Sequence, residues 1–133
     1  MADSTKILDN IHIYLLDDDE AVCESLAAIF ELHGAKVQTF YSLSETRNAT
    51  LDGQPGILVF DIQLSDGLGH ELLIELRGRG IALPAILMSG RSQIKDSLSS
   101  RELQEIFVEK PVDGDALAVR IAAVLAASEA GLK

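Results

Sequence analysis

Cysteine is almost missing from this chain: Cys23 is the one thiol among 133 residues, so no internal disulfide can form. With no CxxC pair and no Cys/His cluster there is no zinc site either, and a reducing cytoplasm is the expected compartment. Basic residues are also scarce, 11 Lys and Arg against 21 Asp and Glu, which leaves a formal net charge of −10. A surface of that sign repels a phosphate backbone and an anionic membrane alike, so the expected partners are cations or a basic patch on another protein, with no direct nucleic-acid binding. No membrane span is expected: residues 1–6 hold no apolar stretch, and the longest apolar segment, 116–127, is interrupted by Arg120. Nucleotide-binding glycine patterns are absent too, because Gly67-Leu68-Gly69 and Gly78-Arg79-Gly80 make neither GxGxxG nor GxxxxGKS/T and read as turns and caps. His12, His33 and His70 share no ligand spacing and are given no catalytic or metal role. Cys23, with no histidine nearby in sequence to activate it, reads as a packed or half-exposed thiol rather than a nucleophile.

What is present is enough for a core. A chain of 133 residues, 47% of them hydrophobic, can bury roughly 65–70% of the surface its unfolded form exposes, without support from disulfides or metal. Disorder and collagen-like repeats are excluded, and no repeat, low-complexity tract or linker divides the chain, so residues 1–133 are expected to form one domain.

Residues 11–16, 56–60 and 84–88 are short, nearly continuous apolar runs, the pattern of strands buried on both faces of a parallel sheet. Residues 36–40 and 105–108 are β-branched or aromatic, sit between helix-like stretches, and bring the set to five strands. Val22, Leu26, Ile29 and Phe30 mark one face of a helix over 20–33, closed by Gly34 as a left-handed cap. Leu68, Leu72, Leu73 and Leu76 mark a second helix before Gly78 and Gly80, and Leu117, Ile121, Val124 and Leu125 a third after Asp113 as N-cap. Residues 42–49 and 91–101 read as shorter helices, the latter weakened by Ser97, Ser99 and Ser100. Alternating strand and helix means an α/β domain, whose right-handed crossovers bring ligands to the carboxyl ends of the strands.

The polar residues that follow the apolar runs then meet at one rim: Asp17 and Asp18 after the first, Asp61 after the third, Ser89 after the fourth, Lys110 after the fifth. Adjacent carboxylates crowd like charge and require a cation, and hard oxygen donors suit Mg²⁺. Such an ion, with a lysine and a hydroxyl donor, is what a phosphoryl group needs as charge moves onto its equatorial oxygens, and Asp61 could then attack phosphorus as a nucleophile. Each residue also has a plainer role open to it. Asp17-Asp18-Asp19 could be an acidic helix start, a role that suits Asp19; Lys110 could be a solvated lysine, Ser89 a turn former and Phe107 plain core. Glu102-Leu103-Gln104-Glu105 is most simply a solvated surface.

Four segments carry a resemblance to a known family, the receiver domains of two-component response regulators. Leu16-Asp17-Asp18-Asp19-Glu20 is similar to the family's acidic cluster, and Asp61-Ile62-Gln63-Leu64-Ser65-Asp66-Gly67-Leu68-Gly69 to its phosphoacceptor segment. Met88-Ser89-Gly90 resembles its hydroxyl segment and Glu109-Lys110-Pro111 its lysine-proline segment, in order and at similar separations. The likeness covers about residues 11–127 and implies a flavodoxin-like (βα)5 fold, a five-stranded parallel sheet of order 2-1-3-4-5 with helices on both faces. It also implies roles. Asp61 would be the phosphoacceptor; Asp18, Asp61 and the backbone carbonyl of Gln63 would bind Mg²⁺, with Asp17 contributing directly or through water. Lys110 would pair with the phosphoryl oxygens, its bond to Pro111 being cis. Ser89 would move to the phosphoryl group and Phe107 would turn inward into the vacated space, switching a surface over about residues 91–128. The donor would be a histidine kinase or phosphotransfer protein, and the switched face (fourth helix, fifth strand, last helix) would serve a homodimer or an effector. Residues 16–26 and 61–71 look more like receivers attached to LuxR-type DNA-binding domains, although no effector domain is expected in this chain.

Two departures from the family pattern matter. Ser65 stands where proline is common, with little effect expected, and residues 97–106 lack the small-residue pattern that leads into the switch aromatic. Gln63 and Arg91 flank the site and are expected to tune hydrolysis, the domain catalysing its own phosphorylation and dephosphorylation only. Two other functions would use the same residues. An adaptor that works without phosphorylation is opposed by the complete acidic and lysine set, and a Mg²⁺-dependent phosphohydrolase would want a second catalytic aspartate where Gln63 stands.

Overall fold

The continuous apolar runs form the middle of a sheet and the two weaker candidates its edges. The structure is a computed structural model that describes residues 6–91, 94–98, 100–101, 103 and 106–131, apart from the side chains of 129–131. In chain order the elements are β1 (His12–Leu16), α1 (Glu20–Leu32), β2 (Lys36–Phe40), α2 (Leu43–Arg47), β3 (Gly56–Asp61), β4 (Gln63–Leu64) and β5 (Gly67–Leu68). There follow α3 (Gly69–Gly78), β6 (Ala85–Ser89), α4 (Ile94–Ser97), β7 (Phe107–Glu109) and α5 (Gly114–Gly131). The main sheet runs β2-β1-β3-β6-β7 with every pair parallel, which, counted over its own five strands, is the expected order 2-1-3-4-5. Among the described residues no helix is long and apolar enough to cross a membrane.

The period-two alternation of strand side chains sorts the core into two layers. Ile13, Leu15, Ile57, Val59, Ile86 and Met88 face one side, where Cys23, Leu26 and Phe30 of α1 and Leu117, Ala118 and Ile121 of α5 cover them. Tyr14, Leu16, Leu58, Phe60 and Leu87 face the other, under Leu72, Leu73 and Leu76 of α3. Strands covered on both faces explain why β1, β3 and β6 read as unbroken apolar runs. Each fully buried side chain of this kind contributes about 1.5–3 kcal/mol.

Local signals set the ends. Asp19 caps α1, its carboxylate accepting the Val22 N–H at 3.2 Å, and Gly34 takes φ 96° just past the helix, as a left-handed cap requires. Ser42 caps α2 through the Glu45 N–H, and Asp113 caps α5 through the Ala116 N–H. Lys110–Pro111 is cis, as is Gln54–Pro55.

Several expectations need correction. Asp61 and Ser89 are the last residues of β3 and β6 rather than the first residues beyond them. Leu68 is not on the buried face of α3: it is the N-cap residue, 36% exposed, because the chain before α3 folds into the β4–β5 hairpin, which apolar periodicity did not signal. The last helix continues past residue 127 to Gly131. Within 91–101 a helix is described over Ile94–Ser97; Ser92, Gln93 and Ser99 of that expected helix lie outside the described residues. So do Met1 to Thr5, and Glu102, Gln104 and Glu105, which carried the solvated run and the start of the last expected strand.

Candidate functional site

The sheet ladder delivers each polar residue to the same end. The Asp17 backbone N–H donates to the Phe40 carbonyl at 3.1 Å, extending the β1–β2 ladder by one residue. The Lys110 N–H donates to the Ser89 carbonyl at 2.8 Å and extends β6–β7 likewise. Asp61 pairs in register with Met88, and the Ile62 N–H after it donates to the Met88 carbonyl at 2.8 Å. Gly69 allows α3 to start directly against β3, since its N–H donates to the Ile62 carbonyl at 2.8 Å and any Cβ there would run into the Asp61 carbonyl.

Three carboxylates and one ammonium meet there. Asp17 is 1% exposed and Asp61 6% exposed, whereas Asp18 is open to water. The Lys110 Nζ donates to Asp17 Oδ2 at 2.7 Å and lies 3.5 Å from Asp61 Oδ1. Asp17 Oδ1 accepts the Asp19 N–H at 2.9 Å, and Asp18 Oδ2 accepts the Ser65 N–H at 2.9 Å. One carboxylate oxygen from each of Asp17, Asp18 and Asp61 lies within 4.8 Å of the others. Hard oxygen donors in negative excess over a single ammonium fit a divalent cation of the Mg²⁺ type.

The electrostatics follow from burial and crowding. Burial pushes the Asp61 carboxyl up from its ordinary 3.8 to about 6; the Lys110 ammonium opposes the rise, and the Asp17 and Asp18 carboxylates add to it. Burial pulls the Lys110 amine down, but its contacts with Asp17 and Asp61 outweigh that and hold it above the usual lysine value.

Ser89 is fully buried, and its hydroxyl oxygen accepts the Arg91 N–H at 3.0 Å. Phe107 is half-buried and packs against the α3-side core, beside Leu87 in register. Gln63 opens β4 just past Asp61, with its side chain half-buried. Cys23 is buried beside Asp17, its thiol pushed up to about 11 mainly by burial and next by the Asp17 carboxylate, as suits an inert thiol.

Two features were not foreseen. Alongside Lys110, a groove of about 690 Å³ runs between α1 and the loops after β6 and β7, with Val22, Leu26, Met88, Pro111 and Val112 in its wall. Ser65 is bonded to Asp18 through its backbone N–H, a contact that a proline at this position could not make. The one sequence signal available was that a non-proline residue keeps its N–H donor.

This geometry can be set beside known proteins. A family model described as the response regulator receiver domain matches residues 13–122. The transcriptional regulatory protein FixJ of Azorhizobium caulinodans is 31% identical over 121 residues, which cover 90% of this chain and 57% of FixJ. The response regulator protein TodT of Pseudomonas putida is 30% identical over 114 residues, covering 85% of this chain and 50% of TodT. This chain thus spans about half the length of these relatives. A CheY-like response regulator receiver domain protein from Methanospirillum hungatei JF-1 superposes with a TM-score of 0.79 at 26% identity, covering 90% of this chain and 97% of that one. The matched region runs from inside β1 into α5 and takes in every strand of the sheet, so the chain belongs to the response regulator receiver domain family of two-component signalling.

Proposed function

We propose that the chain works as a phosphorylation switch with Asp61 as phosphoacceptor. The observation that carries this reading is the meeting of Asp17, Asp18 and Asp61 within 4.8 Å, with Lys110 ion-paired to two of them. In the transfer, a carboxylate oxygen of Asp61 bonds to phosphorus while the N–P bond of a donor phosphohistidine breaks, its electron pair staying on the imidazole nitrogen. The donor is a histidine kinase or phosphotransfer protein in the cytoplasm, and the groove beside Lys110 suits a docking side chain from it. Lys110, already 3.5 Å from Asp61 Oδ1, is placed to take a phosphoryl oxygen as partner. Asp17, Asp18 and Asp61, with the Gln63 carbonyl, would hold Mg²⁺, which when bound offsets the negative charge gathered on the acids and the phosphoryl group.

The Ser89 oxygen accepts the Arg91 N–H, so turning the hydroxyl to donate to the phosphoryl group exchanges that contact for a stronger, charge-assisted one. Phe107 then has space to turn inward, and the face formed by α4, β7 and α5 changes shape for an effector or a second copy. FixJ is a transcriptional regulatory protein, which makes control of transcription the output favoured for that face. Return to the resting state is hydrolysis: water attacks phosphorus, the P–O bond breaks and Asp61 leaves as a carboxylate.

Intact mass after incubation with acetyl phosphate, with and without Mg²⁺, tests the reading. The native chain is expected to gain one phosphoryl group only with Mg²⁺, and Asp61→Asn none. A folded native chain that gains nothing would favour the phosphorylation-independent adaptor, and turnover of a phosphomonoester would favour a phosphohydrolase.

A further inference from the structure

The hairpin after Asp61 makes two contacts that phosphoryl transfer itself does not call on. Gln63 pairs with Leu68 and Leu64 with Gly67, which leaves Ser65 and Asp66 at the tip. From that tip the Ser65 N–H donates to Asp18 Oδ2 at 2.9 Å. The Asp66 carboxylate reaches the opposite way, Oδ1 accepting the Leu43 N–H at 3.2 Å and Oδ2 the Ser44 N–H at 3.4 Å. The hairpin therefore straps one acid of the cluster to the start of α2. Asp18 is the exposed acid of the three, so it alone has water as an easy alternative to the company of two like charges.

We propose that Ser65 and Asp66 are positioning residues for the cation site. The Ser65 N–H holds Asp18 Oδ2 in the cluster and leaves the other oxygen for the ion, while Asp66 fixes the hairpin that presents this N–H. The inference rests on the reading of Asp17, Asp18 and Asp61 as a cation site. A proline at position 65 has no N–H to give, so this chain gains a restraint from its backbone, not from the serine hydroxyl. Holding a ligand in place before the ion arrives lowers the ordering cost of binding.

Binding of Mn²⁺ to the unphosphorylated protein, followed by the spin-resonance signal of the free ion, tests this without any activity assay. Ser65→Pro is expected to weaken binding roughly 5-fold, and Ser65→Ala, which keeps the N–H, to bind as the native chain does. Asp66→Ala should weaken binding roughly 3-fold, and Asp66→Asn, whose single amide oxygen can still accept one of the two N–H groups, should recover part of that. If Ser65→Pro fails to fold by circular dichroism, the two Asp66 variants decide the matter. Native-like affinity in both Ser65→Pro and Asp66→Ala would overturn the strap alone, as would an equal loss in Ser65→Ala and Ser65→Pro. A native chain that binds no Mn²⁺ would overturn the cation-site reading and the strap together.

Discussion

Lys110→Met should cost the metal-free domain about 2–4 kcal/mol while leaving its sheet intact. Methionine keeps the apolar stem along the groove but removes the ammonium that lies 2.7 Å from Asp17 and 3.5 Å from Asp61. Asp17, 1% exposed, then keeps only the Asp19 N–H among its named partners and faces Asp61 with no positive charge between them. The lysine itself is 23% exposed, so the loss falls short of that for a fully enclosed pair. Urea denaturation in the presence of a chelator measures it. Adding Mg²⁺ should restore part of the loss, because an ion that binds only the folded acids stabilises by mass action. Phosphorylation by acetyl phosphate should slow roughly 100-fold, the usual effect of removing one donor to developing charge. Native stability in the variant would mean that Lys110 is not what neutralises the acids.

Asp61→Asn should do the reverse to stability while abolishing phosphoryl acceptance. The Asp61 carboxyl titrates at about 6 in the fold against an ordinary 3.8, so between those values the folded state holds a proton that the unfolded chain has released. The stability this group contributes is therefore complete below about pH 4 and is lost as the pH rises through about 6. Asparagine does not titrate. The metal-free variant should match the native chain near the acid end of that window and exceed it by roughly 1–2 kcal/mol at neutral pH, after allowance for solvent screening at the rim. Thermal melts in chelator across that range would read the divergence. A variant less stable than native at neutral pH would show that Asp61 is already well compensated by Lys110. Mg²⁺ should raise the melting temperature of the native chain more than that of the variant, since the variant has lost one charged ligand.

Much of this is legible in the amino-acid sequence. The apolar runs gave β1, β3 and β6 because strands covered on both faces have no polar side to obscure them. The same reasoning carried Asp17, Asp61, Ser89 and Lys110 to one rim, since each follows or ends such a run. The Asp19 and Asp113 caps are local and can be read locally, whereas Ser42, expected as the first residue of its helix, is the cap before it. The β4–β5 hairpin could not: its paired segments are two residues each, too short for a period to register. The spacing of Leu68 to Leu72 is helical and predicts a place on the helix face, although the chain turns before α3 begins. The Ser65–Asp18 bond is made by a backbone group, which no side-chain pattern records. The groove beside Lys110 needs the packing of α1 against two distant loops and so belongs to tertiary structure alone.

The Lys110–Asp17 contact joins residues 93 positions apart. Closing so long a loop is slow, and the contact offers no return until β1, β3, β6 and β7 have already paired. It should therefore form after the rate-limiting step of folding, so that weakening it speeds escape from the native state and leaves the rate of reaching that state unchanged. Stopped-flow unfolding of Lys110→Met against the native chain would separate the two, and a slowed folding limb would show that the acids and lysine meet early. On this account the charges at the rim set the lifetime of the folded domain, and a cation that gathers them would lengthen it.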